Sequence, residues 1–288
     1  MTTLWRKVLK SYVATFTLQE TSKNWKNNQY GGRKGSSTDH ILISLWNDIL
    51  SGLDAARGEE KSKSVVLTGI DFSKSFSRCS FQEILMAYYK RIGLSDWGLS
   101  MHAAFLTNRQ MRVKIGNILS EEKKVTGGAV QGSVLGVLDH NAVLEFIDEE
   151  IDQNIYKYID DLTLSEEIPQ STDSIIDNTG GIQTHYFRPD NTQVAFDKLY
   201  EGCNDRGLKI NENKTQLLSI STNSYKTKAW IRLNNGTVMY SGDSFKILGF
   251  TFSEYPNVNA QIDYILSRAG SCFFVIRHLA SLEVNKKN

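Results

Sequence analysis

The sequence has no apolar run near the ~18 residues a membrane span needs, and its start, Met-Thr-Thr-Leu-Trp-Arg-Lys-Val, lacks the apolar core of a secretory signal. The expectation is an intracellular protein of nucleus or cytoplasm, neither secreted nor membrane-bound. Cysteine is scarce: Cys79, Cys203 and Cys272 are odd in number and far apart, with no Cys-x-x-Cys or His cluster. That excludes a disulfide framework or a zinc site and leaves reduced, mostly buried thiols. The net charge is only +1, so the overall basic excess of many nucleic-acid binders is missing. Gly-x-x-x-x-Gly-Lys-Ser/Thr is absent, which rejects a P-loop. There is no internal repeat.

What is present is enough chain, 288 residues, for one large domain or two small ones with a sizeable core. The charge is unevenly spread. Residues 1–50 carry a local +4, whereas residues 139–167 are strongly acidic. A basic flank beside an acidic, metal-loaded centre suits a polyanionic substrate; a solvated helix face is the plainer alternative.

The acidic centre is Tyr158-Ile159-Asp160-Asp161, flanked by Asn154-Ile155-Tyr156-Lys157 and Leu162-Thr163-Leu164-Ser165. β-Branched and aromatic residues around two adjacent acids predict a hairpin with aspartates at its tip. Alone, Asp-Asp is an ordinary turn dipeptide. Upstream, Ser64 to Phe72 is a short apolar run with Val65, Val66, Leu67 and Ile70 that ends in Asp71, and it predicts a buried strand. If that strand lies beside the hairpin, Asp71, Asp160 and Asp161 converge, and such like charges need a cation to remain ionised. An all-oxygen set suits Mg²⁺ or Mn²⁺. Two such ions about 3.5–4 Å apart are how phosphoryl-transfer sites stabilise the attacking and the leaving oxygen.

Along the chain, residues 4–20 have helical spacing. Gln29 to Asp39 is a Gly/Ser-rich loop carrying Arg33 and Lys34, which could grip a triphosphate, and Ile41 to Leu50 is amphipathic. Residues 55–64 read as a charged loop, 76–92 and 94–106 as helices broken near Gly93, and 110–125 as a hairpin. Thr126 to Gly136 is glycine-rich, with Gln131 as a polar contact near a template base or sugar, and leads into a helix. Residues 167–192 read as a long polar loop, 194–206 as a helix, and 216–220, 229–233, 237–240 and 246–252 as strands. Residues 258–279 read as a final helix.

With these segments in order, the chain resembles the reverse transcriptases, most closely those of non-LTR (LINE-type) retrotransposons. Gly69-Ile70-Asp71-Phe72-Ser73-Lys74-Ser75-Phe76 is similar to the family's first catalytic motif. Val130-Gln131-Gly132-Ser133-Val134-Leu135-Gly136 is similar to its Pro-Gln-Gly segment, and Tyr158-Ile159-Asp160-Asp161 to its Tyr-x-Asp-Asp box. Gly31 to Ser36 resembles the basic fingers segment, Gly207 to Thr215 the Lys-bearing motif, and Phe245-Lys246-Ile247-Leu248-Gly249 the primer grip. Val130 and Val137 stand where the family usually has prolines, and Ser77 where many members have an acid.

The resemblance implies an α/β right-hand polymerase palm, an antiparallel sheet backed by helices, with partial fingers and a short helical thumb. Residues 1–63 would be fingers, 64–244 palm with a polar insertion at about 167–192, and 245–288 primer grip and thumb. It implies RNA-directed DNA polymerase activity on a primed RNA or DNA template with dNTPs. Asp71, Asp160 and Asp161 would be catalytic, and Asp71, Phe72, Asp160 and Asp161 would surround two Mg²⁺ (or Mn²⁺) ions. Arg33, Lys34, Phe76, Gln131, Gly132 and Lys214 would bind the nucleotide, and Leu248 and Gly249 would touch the primer. The chain begins almost at the fingers segment and has no endonuclease or RNase H segment, as expected of a fragment. A viral RNA-dependent RNA polymerase shares the palm and the three acids, and is separated by the sugar pocket at Phe76. A non-catalytic nucleic-acid-binding remnant is the other alternative.

Overall fold

The computed structural model describes residues 28–54, 63–169, 175–177, 184–222, 226–256 and 262. The helices expected at 4–20 and 258–279 and most of the charged loop at 55–64 lie outside these residues, as does part of 167–192.

The element order begins with α1 (Thr38–Asp54), β1 (Lys63–Ile70), α2 (Ser75–Arg78), α3 (Phe81–Ala87, continued by a π-helical turn over Tyr88–Ile92) and α4 (Asp96–Leu106). Four two-residue strands follow, β2 (Gln110–Met111), β3 (Lys114–Ile115), β4 (Ile118–Leu119) and β5 (Lys123–Lys124). Then come α5 (Val134–Leu144), α6 (Phe146–Glu150), β6 (Asn154–Tyr158), β7 (Asp161–Pro169), β8 (Ile175–Asp177), β9 (Thr184–Phe187) and α7 (Asp190–Asp205). The described part closes with β10 (Gln216–Ser221), β11 (Lys226–Arg232), β12 (Val238–Tyr240), β13 (Ser244–Ile247) and β14 (Phe250–Ser253).

The main sheet has the order β10-β1-β7-β6, and all of its pairings are antiparallel. The continuous apolar run of β1 is explained by burial on both faces. Val65 and Leu67 pack with Leu218 and Ile220 of β10, with Ile41, Leu45 and Ile49 of α1, and with Phe245 and Phe252. Val66 and Ile70 point the other way, into a larger core with Tyr88, Phe146, Phe196 and Leu199. A second sheet, β12-β11-β9-β8, contains a parallel pairing between β11 and β9. Among the described residues no helix is long and apolar enough to cross a membrane.

Three expectations change. The stretch 167–192 is not a plain loop: β7 runs on to Pro169 beside Lys63, and β8 and β9 pair with each other. Its Ile-Ile and Tyr-Phe runs are strand formers whose signal is diluted by the surrounding polar, Pro and Gly residues. Residues 246–252 are a hairpin rather than one strand, turning at Leu248 (φ 49°) and Gly249 (φ 81°). Positive φ at both central positions fits a tight hairpin turn, but Leu-Gly lacks the usual Asn-Gly signature. The helix expected over 76–92 is interrupted at Cys79-Ser80, because the Ser80 hydroxyl accepts from Glu83 N (3.0 Å) and starts α3 afresh.

Candidate active site

Strand register sets two of the acids side by side and leaves the third in the adjoining turn. In the β1–β7 ladder Ile70 faces Leu162, so the next residues outward, Asp71 and Asp161, emerge side by side at the sheet end. In the β6–β7 hairpin Tyr158 pairs with Asp161, leaving Ile159 and Asp160 as a two-residue turn. Burial, and then the charges of Asp160 and Asp71, push the Asp161 carboxyl up to about 6. Asp160 and Asp71 therefore disfavour the ionised form of Asp161.

The turn is held under strain. Ile159 has φ 60°, a left-handed conformation that a β-branched residue adopts only when its surroundings impose it, at about 1–3 kcal/mol. The surroundings here are residues 28–32. Tyr30 N donates to Lys157 O (2.8 Å) and Lys157 N to Asn28 O (2.9 Å), so this segment lies along β6. A Cβ on Gly31 would stand 2.5 Å from Ile159 N. Only glycine allows so close an approach. From the other side Asn141 Nδ2 of α5 donates to Gly31 O (2.9 Å).

Asp71 is anchored by the segment that carries Lys214. Ser73 N donates to Lys209 O and Asn211 N to Asp71 O, both at 2.7 Å, and Phe72 and Ile210 form an isolated bridge. The Asp71 carboxylate accepts from Asn211 Nδ2 (3.1 Å) and lies 3.6 Å from Lys214 Nζ. Asp71, Asp161, Lys214, Thr215, Phe245 and Lys246 line one cavity of about 360 Å³.

The model of the family described as reverse transcriptase (RNA-dependent DNA polymerase) matches residues 2–252. The chain belongs to the reverse transcriptase family. No curated protein matches it. Among solved structures it is similar to apo telomerase from Candida tropicalis, with 10% identity and TM-score 0.52 over 85% of this chain and 39% of that one. It is also similar to the Candida tropicalis telomerase in complex with the TWJ fragment of telomeric RNA, with 11% identity and TM-score 0.53 over 85% and 35%. The Candida albicans counterpart gives 10%, 0.51, 86% and 36%. At such identities the likeness shows the fold alone, and the chain spans well under half the length of these telomerases. The fold is the polymerase palm of a reverse transcriptase, an antiparallel sheet with helices behind it.

Reverse transcriptases work with divalent metal ions. Among the described residues no three Asp, Glu, His or Cys side chains stand together closely enough to hold one. The fit is one of donor chemistry: two neighbouring carboxylates on one cavity and a third in the adjoining turn, all hard oxygen donors whose mutual repulsion a divalent cation relieves.

The remaining candidates surround α5 or flank the cavity. Ser133 caps α5, its hydroxyl accepting from Gly136 N (2.9 Å), and this leaves Gln131 and Gly132 (φ 75°) exposed on the loop before the helix. The Phe76 carbonyl accepts from Ala129 N (2.8 Å) of the same loop. Arg33 and Lys34 lie in the turn after Gly31-Gly32, where Ser36 N donates to Arg33 O (3.3 Å). Leu248 and Gly249 form the turn of the β13–β14 hairpin, whose Phe245 ring packs where a Gly69 Cβ would sit, at 2.6 Å. Sequence reasoning missed Asn211, Asn141, His140 and Lys157. A signal existed for two of them: Asp139-His140-Asn141 is a polar run inside an otherwise apolar helix.

Proposed function

We propose that this chain is an RNA-directed DNA polymerase of the non-LTR (LINE-type) retrotransposon class, extending a primer on an RNA or DNA template with dNTPs. The observation that carries the reading is the strand register that sets Asp71 beside Asp161, with Asp160 in the adjoining turn. Residues 1–63 act as partial fingers, 64–244 as palm and 245–288 as primer grip and thumb, in nucleus or cytoplasm.

When bound at Asp71, Phe72, Asp160 and Asp161, two Mg²⁺ or Mn²⁺ ions supply activation of the primer 3′-hydroxyl and neutralise charge on the triphosphate and the departing pyrophosphate. Asp71 and Asp160 would hold the ions, with Asp161 supporting them. Asn211 fixes the direction of the Asp71 carboxylate. Lys214 gives a proton to the leaving pyrophosphate, a role supported by its ion-pair reach to Asp71. Arg33 and Lys34 neutralise the phosphates, and the bond from Asn141 to Gly31 keeps their loop against the acid turn. Gln131 and Gly132 meet the template or the nucleotide, and Leu248 and Gly249 the primer. Phe76 floors the sugar pocket. It offers no acceptor to a 2′-hydroxyl, which burial would leave unsatisfied at about 1–3 kcal/mol.

Primer extension on RNA and DNA templates, comparing dNTPs with NTPs and Mg²⁺ with Mn²⁺, tests the reading. Metal-dependent incorporation of dNTPs on RNA is the expected result. NTP use equal to dNTP use would replace it with an RNA-making polymerase. Binding without incorporation under any metal would leave a non-catalytic nucleic-acid binder.

A further inference from the structure

Helix α5 carries Asp139, His140 and Asn141 in succession, and none of the three has exposed surface. Three polar side chains in a helix interior are destabilising unless each finds a partner. Asp139 Oδ1 lies 2.8 Å from His102 Nε2 and accepts from Tyr88 OH (3.1 Å). Asn141 holds Gly31. His140 does neither. Both of its ring nitrogens lack hydrogen-bond partners among the described residues. Its imidazole instead lies flat on the Phe76 ring, with centroids 4.3 Å apart and planes 7° from parallel. Burial holds its pKa down to about 4, against a weaker opposite pull from Asn141, so at neutral pH two uncharged rings are stacked.

The Phe76 ring needs such a support. It sits on the four-residue helix α2, entered through Lys74 at φ 52° without a side-chain cap. A single turn of helix has little stability of its own. The bond from Ala129 N fixes the Phe76 carbonyl but not the ring, and the ring is only partly buried.

We propose that His140 is a positioning residue for sugar discrimination, its imidazole holding the Phe76 ring at the angle that excludes a 2′-hydroxyl. The proposal rests on the reading of Phe76 as the floor of the sugar pocket. Any flat ring at 140 does this work, whereas a branched aliphatic side chain of similar volume lets Phe76 tilt.

The test uses the full chain. kcat/KM for a dNTP and its matching NTP is measured in primer extension. The same pair is compared without turnover, by displacing a fluorescent dNTP from the primer–template complex in Ca²⁺. His140→Phe is expected to keep the dNTP:NTP ratio within about twofold of wild type, and His140→Leu to lower it about three- to tenfold, the worth of an aromatic contact. His140→Met replaces His140→Leu if the latter does not fold. Arg33→Ala, on the loop after Gly31-Gly32 and away from α5, is expected to weaken both nucleotides alike. In a Phe76→Ala background, His140→Leu is expected to change the ratio no further. An unchanged ratio in His140→Leu, or the same fall with and without Phe76, overturns the proposal and leaves His140 as core packing. A Phe76→Ala ratio equal to wild type overturns the sugar-pocket reading instead.

Discussion

Two β-hairpins of this chain are built in opposite ways. The β6–β7 hairpin carries Asp160 and is gripped on every side. β1 pairs with β7, residues 28–30 bond along β6, and Gly31 presses on the turn. Beneath it the almost fully buried Lys157 ammonium bonds Glu145 (3.2 Å) and Asp148, and Asn28 also donates to Asp148 (2.5 Å). The hairpin over 110–124 is the reverse case. Among the described residues its strands pair only with each other, and Met111, Val113, Ile115, Ile118 and Leu119 are 55–77% exposed. The contrast shows where rigidity is concentrated: at a strained isoleucine and three repelling acids, which keep their geometry only because their neighbours over-determine it.

The largest effect is expected from removing the charge that the grip serves. Asp160→Asn is expected to reduce primer extension to below about one per cent, equivalent to ~2.7 kcal/mol or more of barrier. Its melting temperature in EDTA should equal or slightly exceed wild type, because repulsion on Asp161 falls. Extension above that level would show that Asp160 is not a metal ligand. Next comes the support itself. Lys157→Met strands two buried acids and is expected to cost about 3–5 kcal/mol in urea unfolding. Burial already pushes Glu145 up despite the opposing pull of Lys157. A loss under about 1 kcal/mol would mean that water reaches the cluster and the ion pair is not what holds the hairpin.

The grip was legible in the sequence only in part. The strand ending in Asp71 and the acid-tipped hairpin followed from β-branched runs interrupted by carboxylates, because both patterns are local. Their adjacency came from the resemblance, and pair register supplied the side-by-side placement. Nothing local betrays the ammonium of Lys157 as buried, since a lone lysine in a strand reads as solvated until its acids arrive from α6 and the junction before it. Gly31 likewise read as part of a Gly/Ser-rich loop that grips phosphate. Its reason for being glycine is Ile159, more than a hundred residues away in the chain.

Two intermediate effects are expected on the gripped side. His140 titrates near 4 in the folded chain and near 6.5 when unfolded. Its stabilising neutral form is therefore complete above about 6.5 and is lost as the pH falls through 6.5 toward 4, by about 3 kcal/mol in all. Unfolding of wild type and His140→Phe across that window should diverge by this amount, and parallel curves would refute the burial of the imidazole. Gly31→Ala puts a Cβ 2.5 Å from Ile159 N and 2.9 Å from the Tyr158 carbonyl carbon. It is expected to cost about 1–3 kcal/mol and to lower kcat with it, while affinity for primed template stays unchanged. Retention of full stability would show that the loop can lift away from the turn.

The smallest effect is expected at the other hairpin. Ile115 and Ile118 face each other across its turn, yet they are 76% and 77% exposed. Changing both to serine removes almost no buried apolar area. The local cross-strand contact is worth about 0.2–1 kcal/mol, and a surface change of this kind usually stays within about 0.5 kcal/mol. Ile155→Ser is the matched control on the gripped hairpin, because Ile155 is only 5% exposed. There the same loss of side chain empties a core position, at about 2–5 kcal/mol. Urea midpoints of the two variants measure the contrast directly. If the tip double variant were as costly as Ile155→Ser, its isoleucines would be covered in solution, and the two hairpins would differ in what they hold rather than in how firmly they are held.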